Sequence, residues 1–259
     1  MTQKTIDTLN KINQDFYFRI SKYWNNNDDS AWYGWRTLVE ILKENWEYKK
    51  EISILDLGCG NARFATFIQN SFPNIRINYV GIDTDPKFLA NGEARNQKEF
   101  SSFQLIQKDL VKEGWQKELK NKKFDLVVLF GILHHIPGNK NRQNLLNQAS
   151  ELLESNGQLV FSGWRFLDKE RLKKRVIPNN SIHQKHILTC HDLQKSDLEF
   201  GDYLLDWVKY EYSVRYAHYI SESESIEISA IAGLEIKNHF IDDSLQRDQN
   251  NYWVCKNLY

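Results

Sequence analysis

Two glycines placed after an apolar run are the clearest sign of chemistry in this sequence. Gly58 and Gly60 follow residues 52–57, and a helical pattern begins just after them. Glycines there let the backbone turn sharply and approach a ligand with no Cβ in the way. Asp83 ends the next apolar run about twenty residues later, where a carboxylate can accept the ribose hydroxyls of an adenosine. The spacing predicts a nucleoside-binding loop.

The third position after Gly60 separates two kinds of loop. Dinucleotide-binding loops have Gly or Ala there, so that the following helix packs closely on the strand. Arg63 fills this position. The sequence therefore disfavours NAD as the ligand.

Four motifs in order resemble those of the class I S-adenosylmethionine-dependent methyltransferases. They are the D-x-G-x-G loop at 56–60, Asp83, the adenine-side acid Asp109, and the fourth-strand motif that begins with Phe124-Asp125-Leu126. The resemblance implies a Rossmann-like α/β fold with a seven-stranded, mostly parallel sheet and S-adenosylmethionine as the cofactor. The predicted cofactor contacts are Tyr17, Trp35, Asp56, Gly58, Cys59, Gly60, Asn61, Asp83, Thr84, Asp109, Leu110, Phe130 and Gly131.

Motifs outside the loop resemble a narrower family, the tRNA wobble-uridine carboxymethyl methyltransferases and their bacterial relatives. They are Trp32-x-x-Trp35, Leu133-His134-His135-Ile136, Gly163-Trp164-Arg165 and the stretch 214–219. The resemblance implies that the acceptor is the carboxylate of a carboxymethyl group on tRNA, which becomes a methyl ester. A methyltransferase for small molecules and a cofactor-binding subunit without turnover are the alternative functions.

Four residues are predicted to serve the methyl acceptor, namely His135, Arg165, Tyr216 and His218. A carboxylate acceptor is already ionised at neutral pH, so cationic or hydrogen-bonding groups such as Arg165, Arg215, Tyr216 or His218 would hold it. An amine or phenol would need a base, for which His135 is the candidate. Alternation along a strand puts Tyr216 and His218 on one face and Arg215 on the other. We expect Trp164, Arg165, Tyr216 and His218 to face the cavity.

The elements that position these residues follow a repeating pattern. Apolar runs at 52–57, 78–82, 103–107, 124–130 and 159–162 alternate with helices at 62–71, 86–96 and 142–154. This alternation predicts a parallel sheet covered on both faces, and Asn156-Gly157 is a candidate left-handed cap for the third helix.

The remaining segments flank this core. Helices at 6–23 and 35–46, separated by a polar loop at 25–30, precede the sheet, and a helix at 221–232 with strands at 234–241 and 252–256 ends the chain. Between them, an insertion after the fifth strand contains a charged helix at 168–175 and an extended stretch at 202–219. We expect one domain over 1–259, divided into 1–50, 51–163, 164–220 and 221–259.

Composition limits the partners. The 34 basic and 34 acidic residues balance, so only local basic stretches at 169–175 and 117–123 could bind a polyanion such as tRNA. The three cysteines form no C-x-x-C pair, and the His and Cys residues at 183–191 match no strict ligand motif, so no metal is predicted. Without a signal-like or membrane-spanning run, a cytoplasmic location is expected. A partner subunit that activates the protein is an open expectation.

Overall fold

The computed structural model describes residues 1–21, 31–96, 100–208, 212–241 and 250–258. The polar loop predicted at 25–30 lies outside these ranges. The described helices are α1 Gln3–Ser21, α2 Tyr33–Trp46, α3 Arg63–Ser71, α4 Pro86–Asn96, α5 Asn139–Ser150, α6 Glu170–Lys173, α7 Ile182–Cys190 and α8 Glu222–Ile231. The described strands are β1 Glu51–Leu57, β2 Arg76–Asp83, β3 Ser102–Gln107, β4 Phe124–Leu129, β5 Leu153–Trp164, β6 Asp202–Trp207, β7 Ser213–His218, β8 Leu234–Ile241 and β9 Asn250–Asn257. None of these helices is long and apolar enough to span a bilayer.

Seven of the strands form one sheet in the order β3-β2-β1-β4-β5-β9-β8. The first five strands of this order run parallel, and β9 runs antiparallel to both β5 and β8. The predicted fold class is confirmed. The strand order reverses between β1 and β4, and ligands of open α/β sheets bind at the carboxyl ends of the strands beside such a reversal. The glycine loop directly follows β1.

Strand β1 shows why the sheet lies at the centre of the molecule. Its side chains alternate between two hydrophobic clusters, with Ile52 and Ile54 on the face covered by α2 and α3, and Leu55 and Leu57 on the opposite face. All four are essentially inaccessible to solvent. Burying each such side chain contributes about 1.5–3 kcal/mol, so the strand that carries the loop is firmly held.

The segment between β5 and α8 contains a two-stranded antiparallel sheet, β6 with β7, and two helices. The prediction of extended structure at 202–219 fits this hairpin. The charged helix predicted at 168–175 was too long, since α6 is only one turn. Sequence reasoning missed α7, which Ser181 caps by accepting the backbone N–H of Gln184 at 3.0 Å. The division of the chain into four segments stays a prediction.

The helix predicted at 142–154 was wrong at both ends. Helix α5 ends at Ser150, and Leu153 already pairs with Phe124 at the start of a longer β5. Gly157 therefore lies inside β5 and is no left-handed helix cap. A Cβ on Gly157 would come within 2.8 Å of the carbonyl oxygen of Phe124, so the glycine is needed for close strand contact at an irregular point of the pairing.

Candidate cofactor and acceptor site

The glycine loop lies where β1 meets α3 and is bound to the neighbouring strand. Gly58 and Gly60 have φ angles of +78° and +55°, which favour glycine. A Cβ on Gly58 would come within 2.6 Å of Ile132, whereas one on Gly60 would meet no atom within 4 Å. The N–H groups of Gly58 and Cys59 donate to the carbonyl oxygen of Ile82 at 2.8 and 3.0 Å. At Gly60 the loop thus borders open space.

The predicted ribose acid lies beside this open space. The Asp83 carboxylate accepts the N–H of Gly60 at 2.8 Å and the N–H of Asp85 at 3.0 Å. Burial raises the pKa of Asp83, although these backbone donors act in the opposite direction. The residue is only partly covered, so its carboxylate can accept further donors.

Other predicted cofactor residues follow the carboxyl ends of β1, β2 and β3. Lys108 donates its N–H to the carbonyl oxygen of Asp83 at 3.0 Å, which places Asp109 next to the end of β2. Asn61 and Asp109 are partly exposed, Thr84 is exposed and Leu110 is buried. Asp83 lies beside the two glycines, as expected for an acid that binds the ribose of S-adenosylmethionine. Asp109 lies one strand further, as expected for an acid near the adenine.

Asp56 does not face this space. Its carboxylate is 2% exposed and accepts the hydroxyl of Tyr79. Burial raises the pKa of Asp56 to about 7, although the Tyr79 hydrogen bond acts in the opposite direction. The side chain of Cys59 is also buried, against Gly81. We therefore correct the predicted contacts of the Asp56 and Cys59 side chains with the cofactor, because both side chains support the loop from inside.

The aromatic residues predicted to contact the cofactor are mostly core. Trp35 and Phe130 are 3% and 7% exposed, and their rings pack 5.8 Å apart. Trp32 is more exposed and stacks on Trp35 at 5.3 Å. It covers Gly131, whose φ is +71° and whose Cβ, if present, would lie 2.9 Å from the indole. Contact of Trp35 and Phe130 with the cofactor is therefore corrected, and Trp32 is the more exposed ring beside Gly131.

Arg215 on β7 is a cation surrounded by aromatic rings. Its guanidinium lies 4.0 Å from the ring centre of Trp164, and the rings of Phe16 and Trp207 are 5.2 and 5.5 Å away. Burial lowers the pKa of Arg215, but a guanidinium remains charged in proteins. Its Nε is buried without a hydrogen-bond partner. No acid in the described part of the chain forms an ion pair with Arg215.

Tyr17 and His135 stand next to this guanidinium. The Tyr17 hydroxyl lies 2.7 Å from Nε2 of His135, and Nδ1 of His135 lies 3.2 Å from the carbonyl oxygen of Tyr216. Burial lowers the pKa of His135 to about 3, and the charge of Arg215 acts in the same direction. For His134, burial likewise lowers the pKa well below its ordinary value. Both imidazoles are therefore neutral and weak bases at neutral pH.

The expectation that Tyr216 and His218 face the cavity was wrong. Tyr216 is fully buried and donates its hydroxyl to Asp202 at 2.7 Å, and His218 is held between Asp202 and Glu224 at 2.7 Å from each. They do share one face of β7, but it is the face turned away from Arg215. Arg165 is partnered too, since its Nε donates to Asp168 at 3.0 Å.

The environment of His218 predicts a pH-dependent contribution to stability. Burial disfavours its charged form, but hydrogen bonds to Asp202 and Glu224 outweigh burial and raise its pKa. A raised pKa means that the contribution is complete below the ordinary pKa and is lost as pH rises through the folded-state value. We expect the difference in unfolding free energy between the unaltered protein and His218→Gln to shrink from pH 5.5 to 8.5. A constant difference in denaturant titrations would contradict this.

Comparison with known proteins agrees with this geometry. Residues 55–159 match a family model described as a methyltransferase domain. A probable polyketide synthase 41 of Dictyostelium discoideum is 33% identical over 202 residues, which cover 61% of this chain and 8% of that protein. A malonyl-[acyl-carrier protein] O-methyltransferase of a Paenibacillus species is 25% identical over 124 residues, covering 47% of this chain and 42% of the relative. The chain thus matches less than half the length of these relatives.

Solved structures share the whole architecture at low identity. The magnesium protoporphyrin IX methyltransferase of Synechocystis with bound S-adenosylhomocysteine superposes with a TM-score of 0.61 at 13% identity, covering 98% of this chain and all of that one. The CcbJ methyltransferase of Streptomyces caelestis gives 0.62 at 14% identity, covering 97% and 98%. Residues 55–159 therefore match a methyltransferase domain, and the chain has the Rossmann-like fold of S-adenosylmethionine-dependent methyltransferases.

Proposed function

We propose that the protein transfers the methyl group of S-adenosylmethionine to an ionised carboxylate of a small-molecule acceptor. The observation that carries this proposal is Arg215, a half-buried cation whose Nε is buried without a hydrogen-bond partner. A guanidinium presents a planar fork of donors that matches a carboxylate. An unpartnered donor in a covered site loses its hydration without compensation. A carboxylate acceptor would supply both the charge and the hydrogen bonds.

The two histidines favour an acceptor that needs no base. With the pKa of His135 near 3 and that of His134 well below its ordinary value, neither takes up a proton readily at neutral pH. When bound, S-adenosylmethionine supplies an electrophilic methyl group. A carboxylate oxygen attacks the methyl carbon, the carbon–sulfur bond breaks with its electrons going to sulfur, and the products are a methyl ester and S-adenosylhomocysteine. Arg215 orients the carboxylate, and no proton moves.

The names of the relatives support a small acceptor over tRNA, since they include polyketide synthases and a malonyl-[acyl-carrier protein] O-methyltransferase. One feature keeps tRNA as the second candidate. Arg171, Lys174 and Arg175 line a surface cavity of about 450 Å³ together with Asp206 and Val208, and the cations could contact phosphate groups. A partner subunit that activates the enzyme stays a prediction.

The test is incubation with methyl-tritiated S-adenosylmethionine and a panel of acceptors. The panel contains carboxylic acids including benzoate and malonate monoesters, the matching amides and amines, and total tRNA. We expect label in the acids, released as volatile methanol by mild alkali because methyl esters hydrolyse. Alkali-stable label in amines would refute the carboxylate, and alkali-labile label in tRNA alone would favour the second candidate.

A pair of glycines tests the cofactor loop. Gly60 and Gly233 have φ of +55° and +68°, and a Cβ on either would meet no atom within 4 Å. Gly60→Ala and Gly233→Ala should each lower the unfolding free energy by about 1–2 kcal/mol through the same backbone strain. Only Gly60→Ala should weaken S-adenosylhomocysteine binding, by tenfold or more in calorimetry, because its Cβ enters the space beside Asp83. If the two variants bound S-adenosylhomocysteine with equal affinity, the cofactor would not bind at the glycine loop.

A further inference from the structure

We infer that Tyr17 and His135 are positioning residues that turn a lone pair of the Tyr17 oxygen toward Arg215 and so fix the guanidinium for the acceptor carboxylate. The inference rests on the proposed function for its consequence, but its geometry stands alone. The three side chains come from α1, from the turn after β4 and from β7. They meet only in the folded protein, which is why the chain sequence does not show their connection.

The tautomer of His135 follows from its two contacts. The carbonyl oxygen of Tyr216 can only accept, so Nδ1 of His135 must carry the proton in the 3.2 Å contact. A neutral imidazole then has a lone pair on Nε2. The Tyr17 hydroxyl at 2.7 Å must donate its proton to that lone pair.

The proton arrangement leaves the Tyr17 oxygen as an acceptor toward Arg215. Burial raises the pKa of Tyr17, although a side-chain hydrogen bond between Tyr17 and Arg215, together with the positive charge of Arg215, acts in the opposite direction. The phenol therefore stays neutral and offers a lone pair to the guanidinium. Trp164 holds the guanidinium from a ring face at 4.0 Å. One hydrogen bond and one stacking contact together fix the plane of the fork while Nε remains without a partner.

Asn13 joins the same elements from behind. Its Oδ1 accepts the N–H of Tyr216 at 2.8 Å, and its Nδ2 donates to the carbonyl oxygen of His135 at 3.5 Å. The side chain is 7% exposed, so the amide holds β7 and the turn of His135 at one distance from α1. His135 is thus held as a fixed acceptor for Tyr17, with both ring nitrogens already engaged, and is not available to remove a proton from substrate.

Two substitutions of His135 separate these contacts. An asparagine amide can imitate Nδ1 and keep the Tyr216 contact, whereas a glutamine amide can imitate Nε2 and keep an acceptor for Tyr17. Binding of benzoate in the presence of S-adenosylhomocysteine, measured by calorimetry, should weaken about tenfold in Tyr17→Phe and in His135→Asn, and stay within twofold in His135→Gln. Benzamide, the uncharged probe, should bind these variants and the unaltered protein equally.

A second tyrosine–histidine pair supplies the matched control. The Tyr212 hydroxyl lies 2.6 Å from Nε2 of His183 on the surface, so Tyr212→Phe and His183→Asn remove the same kind of hydrogen bond and should leave benzoate binding unchanged. Affinity for S-adenosylhomocysteine should stay within twofold in all five variants with Tyr17, His135, Tyr212 or His183 replaced. A selective loss of cofactor affinity in Tyr17→Phe would overturn the inference and make Tyr17 a cofactor residue.

Nitrogen-15 NMR of histidine-labelled protein tests the arrangement without any acceptor. The resonances that vanish in His135→Gln should report a neutral ring protonated on Nδ1 from pH 5 to 8. A ring protonated on Nε2, or a charged ring at pH 7, would overturn the inference. If this tautomer is found but benzoate does not bind the unaltered protein, the proposed acceptor class fails and the arrangement stands. If benzoate binding depends on Arg215 but not on Tyr17 or His135, the inference about these two residues fails and the proposed acceptor class stands.

Discussion

Replacing Arg142 by alanine should lower the free energy of unfolding by about 3–5 kcal/mol, the range for breaking a buried ion pair on one side. Arg142 is 1% exposed on α5. Its guanidinium donates to Glu224 at 3.0 Å, to Glu199 at 3.3 Å and to the carbonyl oxygen of Ile136 at 3.0 Å. These contacts join α8, the insertion and the turn that carries His135. Removing the guanidinium leaves two partly covered carboxylates without their arginine partner, although Glu224 keeps its contact with His218.

Urea titration of the variant measures this loss, and an exposed pair on α2 gives the control. Lys43 contacts Glu40 at 2.7 Å with more than half of each side chain accessible, so Lys43→Ala should change stability by no more than about 1 kcal/mol. If Arg142→Ala lowered the free energy of unfolding by less than about 1 kcal/mol, water would be supplying the hydrogen bonds of the missing guanidinium.

The glycine loop and the position of Asp83 beside it were predictable because their signals are local. Gly58 and Gly60 need positive φ angles within a single strand-to-helix turn, and Asp83 follows at the end of the next strand. Parallel strands bring their carboxyl ends to one edge, so order along the chain gives proximity in space. Residues inside the motif are harder to assign. Asp56 belongs to the same motif, but only the structure shows that its carboxylate turns inward to Tyr79.

The prediction of acceptor residues on β7 depended on which face of the strand is covered by the rest of the protein. Alternation separates the two faces but does not show which one is covered. The sequence correctly separates Tyr216 and His218 from Arg215. It does not show that Asp202, opposite His218 in the hairpin, supplies a buried carboxylate that binds both Tyr216 and His218. With that acid on one face, the unpaired cation is left on the other, toward Trp164.

Long-range contacts were the other limit. The pattern at 142–154 continues helically in sequence, yet Leu153 pairs with Phe124 and starts β5. Leu153 adopts strand and not helix because it extends a sheet that is already buried on both faces, and such tertiary packing overrides local propensity. The link between Tyr17 and His135 spans 118 positions and has no signal in residue spacing.

Replacing Arg215 by glutamine should reduce kcat/KM for a carboxylic acid acceptor roughly 30-fold or more. This corresponds to a loss of about 2–5 kcal/mol of transition-state stabilisation, because a covered carboxylate loses its charged partner. Affinity for S-adenosylmethionine should stay within about twofold, since the guanidinium stacks on Trp164 and is hydrogen-bonded to Tyr17. Arg215→Lys should recover part of the activity, as an ammonium restores the charge without the planar fork.

Arg165→Gln is the matched control, because it removes a cation just beyond β5 that Asp168 already pairs at 3.0 Å. Its effect on kcat/KM should be several-fold smaller than that of Arg215→Gln, measured with the same acid and saturating cofactor. If Arg215→Gln instead weakened cofactor binding tenfold and left the acceptor KM unchanged, the guanidinium would bind the carboxylate of the cofactor. The acceptor would then have to be bound by other groups, and the case for a carboxylate would lose its main support.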